Sequence, residues 1–367
     1  KTRINAKNSL SYGFYLDALR FDLFNRELYP NINSDSIRID VADNSLLTQA
    51  YLSWKHRFNE HLSLVAGMHG QHYSLNSQFV AEPRVSFLYN FNGKQSVSLG
   101  YGLHHQIQNP YTTYVQTKTA SGYIYTNTGL DFTSSQHVVL TYDWNISEVL
   151  RLKAETYYQQ ISDVPVEQDQ SSFSAINIGS SFAPSNQDSL ISTGSGKNYG
   201  IELTLERFFS KGFYFLITTS FFDSKYKGSD GIERNTAYNT QYVANGLVGK
   251  EWRVGRNKNY FTLSLKATTI GGKYLTPINE AASQQLGQTV YEESKAYSVK
   301  QDPYFRTDVK LAYRKEYRRS SLEMALDLQN VTNNQNIFSQ SYNPRTNQIV
   351  TQYQQGFFPV PFVRYTF

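Results

Sequence analysis

Cysteine is absent from the 367 residues, so neither a disulfide framework nor a thiolate metal site is available. No uninterrupted apolar run approaches the ~18 residues a membrane-crossing helix needs, and helical membrane proteins are excluded. Methionine (2) and tryptophan (3) are scarce, and the mean hydropathy is −0.51. That polar average does not exclude a membrane β-barrel, whose strands alternate apolar and polar residues. Charge of one sign is not concentrated either. Lys and Arg (35) are interspersed with Asp and Glu (30), the net charge is +5, and no basic cluster of the kind that reads nucleic acid stands out. The chain opens on Lys1 with neither Met nor a signal peptide before it, so the expectation is a processed chain or a fragment.

What is abundant is aromatic: 29 Tyr and 23 Phe favour strands. Period-two alternation recurs, and helical periodicity is hard to find. "VSLGYGL" sets Val97, Leu99, Tyr101 and Leu103 against Ser98, Gly100 and Gly102. "LRLKAETYY" sets Leu150, Leu152, Ala154 and Tyr158 against Arg151, Lys153, Glu155 and Tyr157. "YGIELTLER" opposes Ile201, Leu203 and Leu205 to Glu202, Thr204 and Glu206. "YFRTDVKLAY" and "LEMALDL" place Arg306, Asp308, Lys310, Glu323 and Asp327 on their polar faces. A one-residue slip would turn the cations of 150–158 to lipid, at roughly 2–4 kcal/mol each near the bilayer midplane. The phase is therefore well specified.

Several strands run longer than the ~5–6 residues usual in soluble sheets. The links alternate in length. Short turns fall at 57–61, 91–94, 145–149, 209–212, 254–259 and 315–320, and long polar links at 25–44, 108–134, 163–196, 224–237, 272–300 and 331–350. The link near 73–79 is a short exception. Such asymmetry assigns short turns to the periplasm and long loops to the cell surface, with both chain ends periplasmic. The expected fold is all-β: a transmembrane antiparallel up-and-down β-barrel with about 14 strands in 1–367. The terminal "GFFPVPFVRYTF" continues the lipid-facing phase through Val363, Tyr365 and Phe367, with Arg364 inward, as a C-terminal insertion signal would.

Three segments resemble the barrel of TonB-dependent receptors, particularly the Bacteroidetes-type branch: "EPRVSFLYNFNGKQSVSLGYGLHHQ" (82–106), "LDLQNVTNNQNIF" (326–338) and "YQQGFFPVPFVRYTF" (353–367). The resemblance implies a strand pair around a short turn, a surface turn carrying Asn330, Thr332 and Asn333, and a closing strand. It further implies roughly 22 strands around a plugged lumen, of which this chain would be the C-terminal part. Plug and energy-coupling segment are not found in these residues. The implied activity is nutrient uptake (a glycan, peptide or metal chelate) in a Gram-negative outer membrane. The implied partners are outer-membrane lipid, a TonB-type coupling protein and a surface lipoprotein. Two alternatives stay open: a complete passive channel or lipid transporter, and a barrel scaffolding a surface complex.

No Ser–His–Asp set or paired carboxylates stand out, so no enzyme, cofactor or metal centre is expected. His104 and His105 point to opposite faces of a strand and cannot chelate one ion together. Lumen-facing charges are Arg151, Lys153, Glu155, Glu202, Glu206, Arg306, Asp308, Lys310, Glu323, Asp327 and Arg364, with Arg314 beside them. They fit a plug interface or wet channel as a set, and cross-strand ion pairing singly. Aromatics near strand ends, among them Tyr12, Tyr51, Trp54, Trp144 and Phe208, are expected in interfacial girdles. The ligand candidates are the loop aromatics Tyr111, Tyr114, Tyr123, Tyr125, Tyr274 and Tyr291, because surface loops carry recognition.

Overall fold

The computed structural model describes residues 1–29, 34–180, 186–255 and 259–367. One antiparallel sheet of 16 strands dominates it; two of these, Thr2–Arg3 and Glu233–Asn235, are short edge additions. The fourteen long ones, in chain order, are β1 Asn8–Tyr29, β2 Ser34–Arg57, β3 Leu62–Tyr73, β4 Gln78–Asn92, β5 Gln95–Gln106, β6 Thr133–Asn145 and β7 Leu150–Glu167, followed by β8 to β14. These last are β8 Leu190–Ser210, β9 Phe213–Lys227, β10 Tyr242–Val254, β11 Asn259–Ile270, β12 Tyr304–Glu316, β13 Ser321–Gln329 and β14 Phe358–Thr366. Each pairs with its sequence neighbour, and β1 and β14 are not paired with each other. The count of about fourteen therefore holds.

Parity along these strands separates two faces. Tyr12, Phe14, Leu52, Trp54, Leu99, Leu140, Ile201, Leu203, Phe221, Val363 and Tyr365 form an exposed apolar face; the terminal Phe367, just past β14, is 98% exposed. A surface of that extent is stable only against lipid. The opposite face carries the charges, and register brings them together. Arg151 lies opposite Glu206 and Glu155 opposite Glu202. Lys310 lies opposite Asp327, and Glu323 opposite both Arg314 and Arg364. Lys153 Nζ is 2.5 Å from Glu155, Arg306 Nε 2.6 Å from Asp308, and Arg314 2.7 Å from Glu316 and 3.7 Å from Glu251. The cations named here are thus paired along or across strands, while Glu155 and Glu202 stand opposite each other as like charges.

Several boundaries differ from expectation. The link 25–44 is mostly strand, since β1 runs to Tyr29 and β2 starts at Ser34; residues 30–33 lie outside the described set. Its polar residues belong to a hairpin that continues beyond the hydrocarbon. Likewise 163–196 contracts to 168–189, of which 181–185 are outside the described residues, as are 256–258 of the turn at 254–259. Residues 353–357 precede the closing strand rather than starting it; a surface hairpin, Ile337–Asn343 with Gln348–Tyr353, occupies that loop. Tyr51 is not in a girdle. Register puts it beside His69 on the polar face, lying over Gly13, where a Cβ would stand 2.4 Å from its ring. Phe208 lines a recess of about 350 Å³ at the short-turn end with Asp143 and Arg151.

Candidate functional site: the loop collar and the wall beneath it

At the long-loop end the loops dock on one another and on the wall. Loop 107–132 folds onto β1 and β2, burying Tyr114 and Val115 with Ile39 against Phe21, Leu23, Val41, Leu75 and Tyr125. The Tyr114 hydroxyl donates to Asp43 at 2.7 Å, and that of Tyr125 donates to the Asp40 carbonyl at 2.7 Å. Burial and the Asp43 carboxylate together push the Tyr114 phenol well above its ordinary range. Asn127, fully buried, ties this loop to the next: its amide donates to Thr112 O and Gln187 O, and its oxygen accepts from Leu190 N.

The contacts continue around the mouth. Ala237 N donates to Asn177 at 2.9 Å, and Tyr238 Oη to Ile178 O at 3.0 Å, joining 228–241 to 168–189. Tyr226, at the top of β9, donates to Ser172 O at 2.9 Å and meets the Tyr297 ring at 5.9 Å. Ser172 also reaches Glu293 at 3.2 Å, and Tyr342 N donates to Thr289 at 2.9 Å, linking 271–303 to the hairpin of 330–357. Within 228–241 a buried ion pair, Arg234–Asp230 at 2.7 Å, holds the Asp230 carboxyl below the usual carboxylate range. Five loops thus form one collar.

The candidate tyrosines divide. Tyr111, Tyr123 and Tyr291 are exposed. Tyr274 sits in a two-residue ladder under Lys300 Nζ, 5.7 Å from its ring centre. Tyr114, 3% exposed, and half-buried Tyr125 direct their hydroxyls at the wall, to Asp43 and to the Asp40 carbonyl. The turn residues of "LQNVTNNQN" do what the resemblance implied. Asn330 and Asn333 adopt left-handed backbone with φ of 50°, tolerable for asparagine. Asn330, 1% exposed, donates to Asn334 O and Gln355 O, while Asn333 accepts from Phe357 N at 3.0 Å; the turn clamps the start of β14.

One site was missed in the sequence. Glu82 on β4 is 1% exposed, yet charged and fully partnered. Its Oε1 accepts from Gln71 Nε2 at 2.7 Å and His105 N at 2.6 Å; its Oε2 lies 2.7 Å from His69 Nδ1 and 2.6 Å from Arg84. β4–β5 pairing stops at Arg84–Gly102, while β5 continues with β6 to Gln106–Thr133. Pro83, with no N–H to offer, stands where the two strands part. Glu82 fills the gap. His104 turns the other way, its ring 5.1 Å from His137, so the adjacent histidines do diverge. Among the described residues no cluster of three metal-ligating side chains occurs.

Comparison with known proteins agrees with this geometry. The profile of the family described as TonB dependent receptor-like, beta-barrel matches residues 2–333. The ferric yersiniabactin uptake receptor FyuA of Yersinia pestis is similar in structure at 13% identity and a TM-score of 0.68, over 100% of this chain and 52% of that one. The ferric-catecholate import receptor Fiu of Escherichia coli K12 follows at 10% identity and 0.64, over 98% and 52%. The pyoverdine receptor FpvA of Pseudomonas aeruginosa PAO1, bound to pyoverdine, aligns at 12% and 0.62, over 90% and 44%. This chain spans about half the length of these receptors. No curated protein matches it by sequence. The matches resolve the family and not a branch within it. An exposed apolar face, a polar face of paired charges and a collar of surface loops are what such a wall requires, and the chain belongs to the TonB-dependent receptor β-barrel family of the Gram-negative outer membrane.

Proposed function

We propose that this wall serves a receptor that captures a scarce nutrient at the collar and passes it inward in a TonB-coupled cycle. Plug and coupling segment are supplied from outside these residues. The observation that supports the reading most directly is the collar itself. A passive pore gains nothing from five loops locked together by buried asparagines, whereas a binding mouth needs preorganised donors and ring faces.

The ligand is held by aromatic faces and hydrogen-bonding groups of the collar. Arg234, Lys197, Lys225 and Lys295 are engaged by Asp230, Glu233, Asp223 and Glu292, while Lys118, Lys227, Lys273 and Arg345 have no carboxylate partner among the described residues. Tyr111, Tyr123 and Tyr291 are the contacts proposed for it, with the inward charges of the lower wall facing the plug. Radiolabelled uptake by cells expressing the whole protein tests this, with ferric yersiniabactin, ferric pyoverdine and neutral oligosaccharides as probes. Substituting the three tyrosines by Ala is expected to lower binding of the transported probe at least tenfold while folding is kept. Unchanged binding, or uptake that persists when the proton gradient is collapsed, would count against the proposal.

A further inference from the structure

The recess of about 350 Å³ at the short-turn end is cut into the polar face, where the turn after β4 meets that after β6. Register assembles its lining. Asn90 lies opposite Ser96 and Ser96 opposite Asp143, while Asn145 lies opposite Arg151. The lip is fixed by backbone. Asn92 Oδ1 accepts from Lys94 N at 2.8 Å and Gln95 N at 3.0 Å, and Asn145 N donates to Lys94 O at 2.8 Å. Arg151 gives Nε and Nη2 to Asp143, so that pair neutralises itself. The side chains of Asn90, Ser96 and Asn145 and the ammonium of Lys94 have no partner among the described residues.

One ring completes the lining. β8 and β9 pair at Arg207–Phe215 and resume at Ser210–Phe213, so Phe208 and Phe209 form a bulge, a device by which a strand re-aims a side chain. Phe208, 44% exposed, joins the recess beside Arg151. An aromatic face set among amides and a hydroxyl suits a saccharide: the ring takes the apolar face of a pyranose, and the amides take its hydroxyls. Other guests fit less well. Amide and hydroxyl oxygens are acceptors that an anion cannot use, and Lys94 is the one unpaired charge among the described lining residues. β4 to β8 are each paired on both sides, so no backbone edge is open to an added peptide strand. The volume lies at the small end of the ~300–1,000 Å³ range of small-molecule sites.

We infer that this recess binds one or two rings of a neutral saccharide, as an inner stop for the transported nutrient on the periplasmic side of the wall. Phe208 stacks on the sugar, Asn90, Ser96 and Asn145 bond its hydroxyls, and Lys94 and Arg151 Nη1 donate to further oxygens. The inference rests on the uptake reading above and narrows its ligand to a saccharide.

The experiment uses the whole protein carrying this chain in neutral detergent, photolabelled with maltose, cellobiose or laminaribiose bearing a diazirine. Labelled peptides are mapped by mass spectrometry. Labelling by at least one sugar is expected within 88–96, 143–151 and 205–210, and excess unmodified disaccharide should remove it. Phe208→Ala should lower labelling of the recess at least about fivefold and Phe208→Trp should keep it, while labelling of collar peptides is unchanged. Asn145→Ala, whose side chain has no partner to lose, should lower it about threefold and serves if Phe208→Ala folds poorly by heat-modifiable gel mobility. Labelling confined to the collar, labelling of the recess that both variants leave unchanged, or displacement by an acidic tripeptide and not by free sugar would each overturn the inference. Uptake that ignores the proton gradient would instead strike the uptake reading and leave labelling of the recess as it was.

Discussion

Replacing Glu82 by Gln preserves the shape of the side chain and removes its charge. In the native wall each carboxylate oxygen faces two donors: Gln71 and His105 N at one, His69 and Arg84 at the other. The amide keeps one oxygen and turns an NH₂ toward the other pair: facing Gln71 and His105 N it leaves both donors unmatched, and facing His69 and Arg84 it leaves Arg84 unmatched, since His69 Nδ1 can accept in its other tautomer. Each buried donor left unmatched costs about 1–3 kcal/mol. Breaking one partner of a buried ion pair costs about 3–5 kcal/mol by a separate route. Arg84 is half exposed and recovers part of its loss from water. The expected destabilisation is about 2–4 kcal/mol. It should appear in urea unfolding from lipid vesicles and as faster hydrogen exchange at the His105 amide, with distant strands unaffected. A variant within about 0.5 kcal/mol of wild type, with His105 still protected, would refute the claim that this carboxylate closes the gap between β4 and β5.

Other outcomes follow from the same structure. Asn330→Ala removes both amide donors and the acceptor at the turn, and with them the side chain that makes a φ of 50° tolerable, so proteolysis within 330–357 should accelerate markedly. Gly249→Val puts atoms where a Cβ alone would stand 2.2 Å from the Tyr214 ring, and is expected to cost about 1–3 kcal/mol in urea unfolding. Because the folded Asp230 carboxyl is held below its unfolded value, the Arg234 pair stabilises loop 228–241 above the ordinary carboxylate range. That contribution fades as pH falls through the folded value, so hydrogen exchange in the loop should rise below about pH 4, and Asp230→Asn should abolish the dependence.

Side-chain parity is a local property, which is why both faces of the wall, the phase of the charged residues and the alternation of short and long links are legible residue by residue. Tyr51 escapes that reading because an aromatic suits either face; what decides its place is Gly13 on the neighbouring strand, 38 positions earlier. The partner of Tyr114 is equally hidden, since the fold brings Asp43 to its hydroxyl from 71 residues away. Glu82 is illegible for the same reason: its acceptor sites are filled from β3, β4 and β5 together, and only the parting of two strands at Pro83 makes room for a carboxylate. The loop boundaries failed where strands outrun the hydrocarbon, since polarity there reports the solvent and not the backbone.

The joined loops also constrain how such a mouth can change over generations. A petal held by its neighbours on both sides cannot be swapped alone: importing 168–189 from a relative would strand Asn127 on one flank and Ala237 on the other. New specificity is therefore reached by editing the exposed tip around 118–123, or by replacing the ring of loops as a block.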